Sequence, residues 1–387
     1  MPDRGDVHMP LPFETLAQCE GGGATVTVFP VRLAKTRERR EAELYTPCMP
    51  DCRHASLLEW CNDRSPVRVS ELEPLATEAS TRSFWRVHSD LSPRTWIVMD
   101  SPPDSENNRQ FVALARVFKK EGVPVPEVYA FDAERGFLLV EDFGNRLFLN
   151  EYPRSDQFEL IKLAVSTLAG IQRVEDAAIP PYEQARFHME LDIFRQWTCG
   201  AMLELASQPL NQIEQDLVEA IFSQPRCTVH RDFHSRNLLL RTRPGPRATE
   251  NSGDLSIGIV DFQDALVGPC TYDLASFAFD CYWEFAPREI EHCFALGWQA
   301  LPLAQRRQVG SIIEFRRMTE HVALQRMLKA VGIFCRLLLQ RQRDSHVRYV
   351  VPVLQRAGTL ALNHPSMSDL GRWLLDCVAP AAQSRLE

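Results

Sequence analysis

Residues 229–240 read VHRDFHSRNLLL, and residues 257–265 read IGIVDFQDA. In the first stretch Asp232 stands five residues before Asn237, flanked by residues able to form short strands. In the second, Asp261 closes the apolar run IGIV, which reads as a buried strand. Phosphoryl transfer from ATP requires such a set of groups. One carboxylate orients and deprotonates the attacking hydroxyl, while an amide oxygen and a second carboxylate hold Mg²⁺ on the phosphates.

The order HRD-x-x-x-x-N and then a strand-borne D-F is the kinase catalytic pattern. Asp232 reads as the catalytic base, and Asn237 and Asp261 as oxygen ligands of Mg²⁺, set against simple turn chemistry at each. His230 and Arg231 are expected to brace the loop. His234, two residues after the base, has two readings: contact with the γ-phosphate or packing within the loop. Arg236 faces either an anionic substrate or phosphate, or a surface ion pair. Asp264 is a candidate for substrate or metal contact. Asp273, in TYDLA, is expected to cap a helix and brace the catalytic loop.

Towards the N-terminus the pattern becomes strand-rich. VRVSELEPL, SFWRVHS and TWIVMD alternate or run apolar; a helix (NNRQFVALARVFKKEG) and two more strands (VPEVYAFD, GFLLVED) follow. ASTRSFWR (residues 79–86) occupies the turn between the first two strands, where the hydroxyls and amides of Ser80, Thr81 and Ser83, with Arg82, are candidates for cradling phosphates. The third strand has Met99 where the kinase pattern has a phosphate-pairing lysine, leaving Arg82, Arg86 and Arg109 as candidate cations. Glu141 and Asp142 fall at the hinge, where backbone groups are expected to meet adenine. Beyond Ser155 the chain turns helical, and the long amphipathic stretch at 304–342 is read with its Arg and Gln residues on a solvated face.

Three segments are expected: a poorly ordered extension at 1–54, a nucleotide-binding lobe at 55–152 and a catalytic, substrate-binding lobe at 153–387. The RTRPGPRATENSGD stretch reads as a mobile hairpin tip. A net charge of −8 argues against nucleic acid as the main partner. No apolar run approaches the roughly 18 residues of a membrane span, and the N-terminus lacks a signal-peptide layout. The odd count of 11 cysteines, without a disulfide framework, points to a reducing cytoplasm. A monomer with neither a nucleic-acid nor a membrane partner is expected.

HRDFHSRN, DFQDALVGPCTYDLASF, EASTRSFWRV, IVMDSPP and GFLLVEDFG resemble the aminoglycoside phosphotransferase/choline kinase superfamily, over about residues 55–380. Within it they look most like bacterial cell-wall-recycling kinases that phosphorylate N-acetylmuramate and N-acetylglucosamine at the anomeric hydroxyl. The resemblance implies an α+β, bilobal protein-kinase-like fold with a small antiparallel-sheet lobe and a larger helical lobe. It also implies ATP and Mg²⁺ in the cleft and a sugar against the helical lobe. Aminoglycosides are polycations and want a carboxylate-lined pocket, whereas this catalytic loop carries His234 and Arg236, which suits a neutral or acidic sugar. Two alternatives stand beside it. One is an aminoglycoside or other metabolite hydroxyl as acceptor; the other is a nucleotide-binding pseudokinase, suggested by Met99.

Overall fold

Side chains alternate across a strand, and in the N-terminal sheet both faces find a helix. Trp96, Val98 and Leu139 point to one face, where they join Leu57, Trp60 and Cys61 of a helix in a small separate core. Met99, Leu138 and Val140 point to the other and join Phe111, Leu114, Ala115 and Phe118 of a second helix in the main core. Strands buried on both faces account for their nearly continuous apolar reading.

The computed structural model describes residues 50–64, 69–75, 81–89, 92–243 and 254–387. Ser80, the expected extension up to residue 49 and the centre of the expected hairpin tip (244–253) lie outside the described residues. The first helix, α1 (Pro50–Arg64), runs across the expected boundary at 54/55. Strands β1 (Glu71–Leu75), β2 (Ser83–Ser89), β3 (Ser92–Asp100), β4 (Val128–Asp132) and β5 (Phe137–Glu141) form one sheet in the order β1-β2-β3-β5-β4. Every pairing in it is antiparallel. Between β3 and β4 lies α2 (Asn108–Lys120), capped by the Asn107 side chain on the Gln110 amide. The expected order of strands, one helix and two strands is what the structure contains.

The hinge after β5 is fastened to the next hairpin. Strands β6 (Arg226–Val229), β7 (Leu238–Arg243), β8 (Asp254–Ile259) and β9 (Leu266–Pro269) pair as β6 with β9 and β7 with β8. Arg241 of β7 reaches back to Glu141 (2.5 Å) and lies 3.9 Å from the centre of the Phe143 ring. Gly258 of β8 permits this seat, since a Cβ there would stand 2.5 Å from the Phe143 ring.

The remainder is helical: α3 (Phe148–Glu151), α4 (Gln157–Gln172), α5 (Gln184–Ile193), α6 (Gln208–Phe222), α7 (Tyr272–Ala278), α8 (Pro287–Ala300) and α9 (Leu303–Val309). Then come α10 (Ile312–Arg341), α11 (Val347–Leu362), α12 (Ser368–Trp373) and α13 (Ala379–Leu386). The stretch read as one helix at 304–342 is two, because Gly310 takes φ +86° and Ser311 starts α10 by capping the Glu314 amide. α5 continues through Phe194–Leu203 in wider turns. This α+β arrangement of a small antiparallel sheet and a larger helical part is the expected fold class.

Candidate active site

The chain leaves β6 into His230-Arg231-Asp232 through an unfavourable backbone. Arg231 has φ +78°, the left-handed region that costs a branched or long residue energy. Neighbouring groups hold it there. The Asp273 carboxylate accepts from the amides of His230 (2.6 Å) and Arg231 (2.9 Å), and Arg326 donates to the Arg231 carbonyl (2.5 Å). The His230 imidazole accepts from the Asp232 amide at Nδ1 (3.3 Å) and meets the Val260 carbonyl through Nε2 (3.1 Å). That arrangement needs the neutral ring, and burial pushes the His230 pKa down to about 4. His230 thus ties the catalytic loop to the strand that precedes Asp261. Asp273 braces the loop as expected, but its carboxylate is spent on the loop amides rather than on capping α7.

Asp261 is the second residue with a left-handed backbone, at φ +64°. The peptide before it is fixed by the Val260 amide, which donates to the Asn237 carbonyl (3.1 Å). Phe262 beyond it is buried against Phe111 (ring centres 4.8 Å apart) and Phe118 (6.0 Å) of α2. Asn237 Nδ2 donates to the Asp232 carbonyl (2.9 Å) and lies 3.4 Å from Asp261 Oδ2. Asp232, Asn237 and Asp261 therefore converge, although 24 residues separate Asn237 from Asp261. Burial first, and then the negative charge of Asp232, raises the Asp261 pKa. Two carboxylates that repel each other beside an amide oxygen, Asp232 half-buried and Asp261 open to solvent, suit a hard, partly hydrated cation. Among the described residues no group of three or more His, Cys, Asp or Glu converges as an all-protein metal cage.

The surroundings of Asp232 were not legible in the sequence. Burial would raise its pKa, but the charges of Lys329 and Arg326 outweigh this and hold the carboxyl well below the usual range. Both cations come from α10, on the face expected to be solvated. They are buried because Val322, Gln325, Arg326, Lys329 and Ile333 recur three or four apart, forming one helical stripe. Polar residues bracketed by apolar ones at that spacing were the available signal. Lys329 in turn donates to Glu190 Oε1 (3.0 Å), as does Arg231 (2.9 Å), while Tyr182 (2.7 Å) and Gln325 (3.0 Å) donate to Oε2. Asp280 is a further buried anchor, accepting from the amides of Ser235 (2.7 Å) and Tyr282 (2.7 Å).

A cavity of about 90 Å³ opens beside Asp232, walled by His234, Ser276, Tyr282, Arg326, Lys329, by Phe279 just after α7 and by apolar residues of α10. His234 Nδ1 and Ser276 Oγ are buried there with no hydrogen-bond partner among the described residues. Arg236 lies over the Tyr282 ring (4.7 Å). Asp264 is mostly exposed, 3.7 Å from Arg231 Nη1.

The sheet-side candidates separate. Thr81 hydrogen-bonds Glu106, and Arg82 pairs with Glu106 (2.8 Å) and donates to Ser101 Oγ (3.2 Å); its charge is felt at Asp261. Ser83 opens β2 opposite Asp100. Arg86 is turned to the hinge, bound to Asp142 (2.5 Å) and Asn145 (2.6 Å). Arg109 is exposed at the start of α2, and Met99 is buried in the main core. The Glu141 amide donates to the Glu127 carbonyl (2.8 Å), so it is already engaged within the sheet.

The pattern of the phosphotransferase enzyme family (APH) matches residues 71–303. The chain belongs to this family. A Pseudomonas aeruginosa protein named N-acetylmuramate/N-acetylglucosamine kinase is 33% identical over 317 residues, covering 80% of this chain and 89% of that protein. A protein of the same name from Neisseria meningitidis serogroup B is 30% identical over 306 residues, covering 76% and 86%. Among solved structures, choline kinase from Cryptosporidium parvum Iowa II superposes with a TM-score of 0.58 at 12% identity, covering 83% of this chain and 99% of that one. Plasmodium vivax ethanolamine kinase gives 0.56 at 13% identity, covering 79% and 87%. At such identities these two structures speak for the fold, and that fold is kinase-like. The enzyme is a phosphotransferase of the kinase type with an alcohol group as acceptor. No helix among the described residues is long and apolar enough to cross a membrane.

Proposed function

We propose that this enzyme transfers the γ-phosphate of ATP to the anomeric hydroxyl of an amino sugar, N-acetylmuramate, N-acetylglucosamine or both, as a step in peptidoglycan recycling in the cytoplasm. The observation that carries the acceptor class is the wall of the cavity at Asp232. It holds two cations, Arg326 and Lys329, and among the described residues Asp232 is its only carboxylate. A polycationic aminoglycoside would meet like charge there, whereas a neutral or acidic sugar would not. Glu204 and Glu284 do not line it; Glu284 belongs to a separate cavity of about 470 Å³ between α8, α10 and α11. The two named relatives support the amino sugar.

In this reading Asp232 accepts a hydrogen bond from the sugar hydroxyl, aligns it and takes up its proton as the new ester bond forms. Its low basicity suits a loose transition state, in which the hydroxyl needs orientation more than early deprotonation. Asn237 and Asp261 would hold Mg²⁺, which when bound supplies neutralisation of phosphate charge. Arg82 stands on the phosphate side in place of the missing strand lysine, and His234 faces the acceptor across Asp232. Adenine is placed at the hinge beyond Glu141.

The test is incubation of purified protein with Mg²⁺–ATP and each sugar, with phosphorus NMR to locate the ester. A phosphate on the anomeric carbon is the expected result. Lack of turnover with either sugar, together with turnover of an aminoglycoside, would overturn the reading.

A further inference from the structure

The cavity beside Asp232 has a composition more particular than positive charge. Its volume of about 90 Å³ admits one substituent of a sugar ring rather than the ring itself. Its lining includes two cations, Lys329 and Arg326. Beside them are apolar side chains, Phe279, Ala330, Ile333 and Phe334. Two buried polar atoms on its rim, His234 Nδ1 and Ser276 Oγ, lack partners among the described residues, and buried polar groups are rarely left so unless a ligand or water completes them.

Part of the donor capacity is spent within the protein: Lys329 places one of its three N–H donors on Glu190, and Arg326 places Nη1 on the Arg231 carbonyl and lies over the Tyr272 ring (4.8 Å). The nearest carboxylate to Arg326 is Asp232, at 3.9 Å, and that carboxylate is claimed by the reacting hydroxyl. The guest that satisfies such a wall carries a carboxylate and a small apolar group on one short arm. N-acetylmuramate differs from N-acetylglucosamine by a lactyl ether, which is a carboxylate and a methyl group on one carbon.

We infer that Lys329, supported by Arg326, selects the acceptor by receiving the lactyl carboxylate of N-acetylmuramate while the anomeric hydroxyl meets Asp232. The inference rests on the amino-sugar reading above and adds to it a preference for the acid and the residue that sets it. Loss of a charge-assisted hydrogen bond in a desolvated site lowers selectivity by about ten- to a hundredfold.

The experiment compares kcat/KM for N-acetylmuramate, its carboxamide and N-acetylglucosamine, in the wild-type enzyme and in Lys329→Met. The wild type is expected to favour the acid over its carboxamide by about tenfold or more. In Lys329→Met the acid-to-amide ratio is expected to fall to within about threefold of unity, whatever happens to the absolute rates. A wild-type ratio near one overturns the inference without any variant, so misfolding of Lys329→Met leaves it decidable. A variant that lowers acid and amide equally overturns it too, assigning Lys329 to the loop rather than to the acceptor. In either case turnover of the sugars leaves the amino-sugar reading standing, whereas no turnover of any of the three overturns that reading and the inference with it.

Discussion

The catalytic loop in the helical lobe and the turn before β2 in the sheet lobe both carry the charges expected to meet phosphate, yet they are built differently. The loop is gripped from four directions. Asp273 of α7 holds two of its amides, Arg326 of α10 its carbonyl, Glu190 of α5 its arginine, and Val260 its histidine. At the turn, Arg82 pairs with Glu106 and donates to Ser101, and Arg86 is drawn to the hinge. The left-handed backbone at Arg231 and Asp261 is tolerated because its neighbours over-determine it. The helical lobe therefore holds Asp232, Asn237 and Asp261 on a backbone clamped from several elements, whereas the described sheet-side cations are held by side-chain pairs.

The sharpest way to break this contrast is at Asp232. Asp232→Asn keeps the size and the backbone clamps but cannot accept the proton. Its kcat is expected to fall by about a hundred- to ten-thousandfold, with nucleotide affinity in a fluorescent-ATP titration changed by less than about twofold. Near-full activity would remove Asp232 as the base and transfer the chemistry elsewhere.

The next effect is on the grip itself. Glu190 is buried and satisfies four donors, so Glu190→Gln leaves Arg231 and Lys329 without their shared anion. Breaking such a buried pair from one side costs about 3–5 kcal/mol, readable as a fall in urea midpoint. The pH dependence has a definite sign. Burial opposes ionisation of Glu190, but Lys329 and Arg231 more than offset it and bring the folded pKa down to about 2, against 4.5 for the ordinary group. Its contribution is thus complete above pH 4.5 and is lost as pH falls towards 2. The stability gap between wild type and Glu190→Gln should be constant from neutral pH down to 4.5 and narrow below it. A gap that did not narrow would mean that packing, not charge, makes Glu190 matter.

The two regions also differed in how far the sequence disclosed them. Asp232, Asn237 and Asp261 were legible because phosphoryl transfer constrains residue type and spacing within one short span. The sheet was legible from alternation, and α2 from its apolar repeat. Glu190, Asp280, Arg326 and Lys329 were not, because each meets the loop through tertiary packing. A charged residue on a long helix reads as solvated unless its partners are known. Glu190 and Lys329 lie 139 residues apart. The break at Gly310 was also missed, since apolar periodicity carries on across it.

The smallest expected effect sharpens the contrast from the sheet side. Arg82 and Arg86 were equal candidates to replace the strand lysine, and the structure separates them by direction. Arg82 sits beside α2 with its charge felt at Asp261, whereas Arg86 is committed to Asp142, whose carboxylate also takes Thr95 (2.7 Å) and the Gly144 amide (2.7 Å). Arg82→Met is expected to raise KM for Mg²⁺–ATP by about three- to tenfold with little change in kcat. Arg86→Met should do the reverse, lowering thermal stability through the loosened hinge while leaving KM for ATP near its wild-type value. Glu106→Gln decides what the carboxylate beside Arg82 is for. If it only parks the guanidinium until phosphate arrives, removing its charge leaves KM unchanged or lower. If it aims the guanidinium, KM rises as in Arg82→Met, and the sheet lobe then shares the built-in geometry that the helical lobe shows.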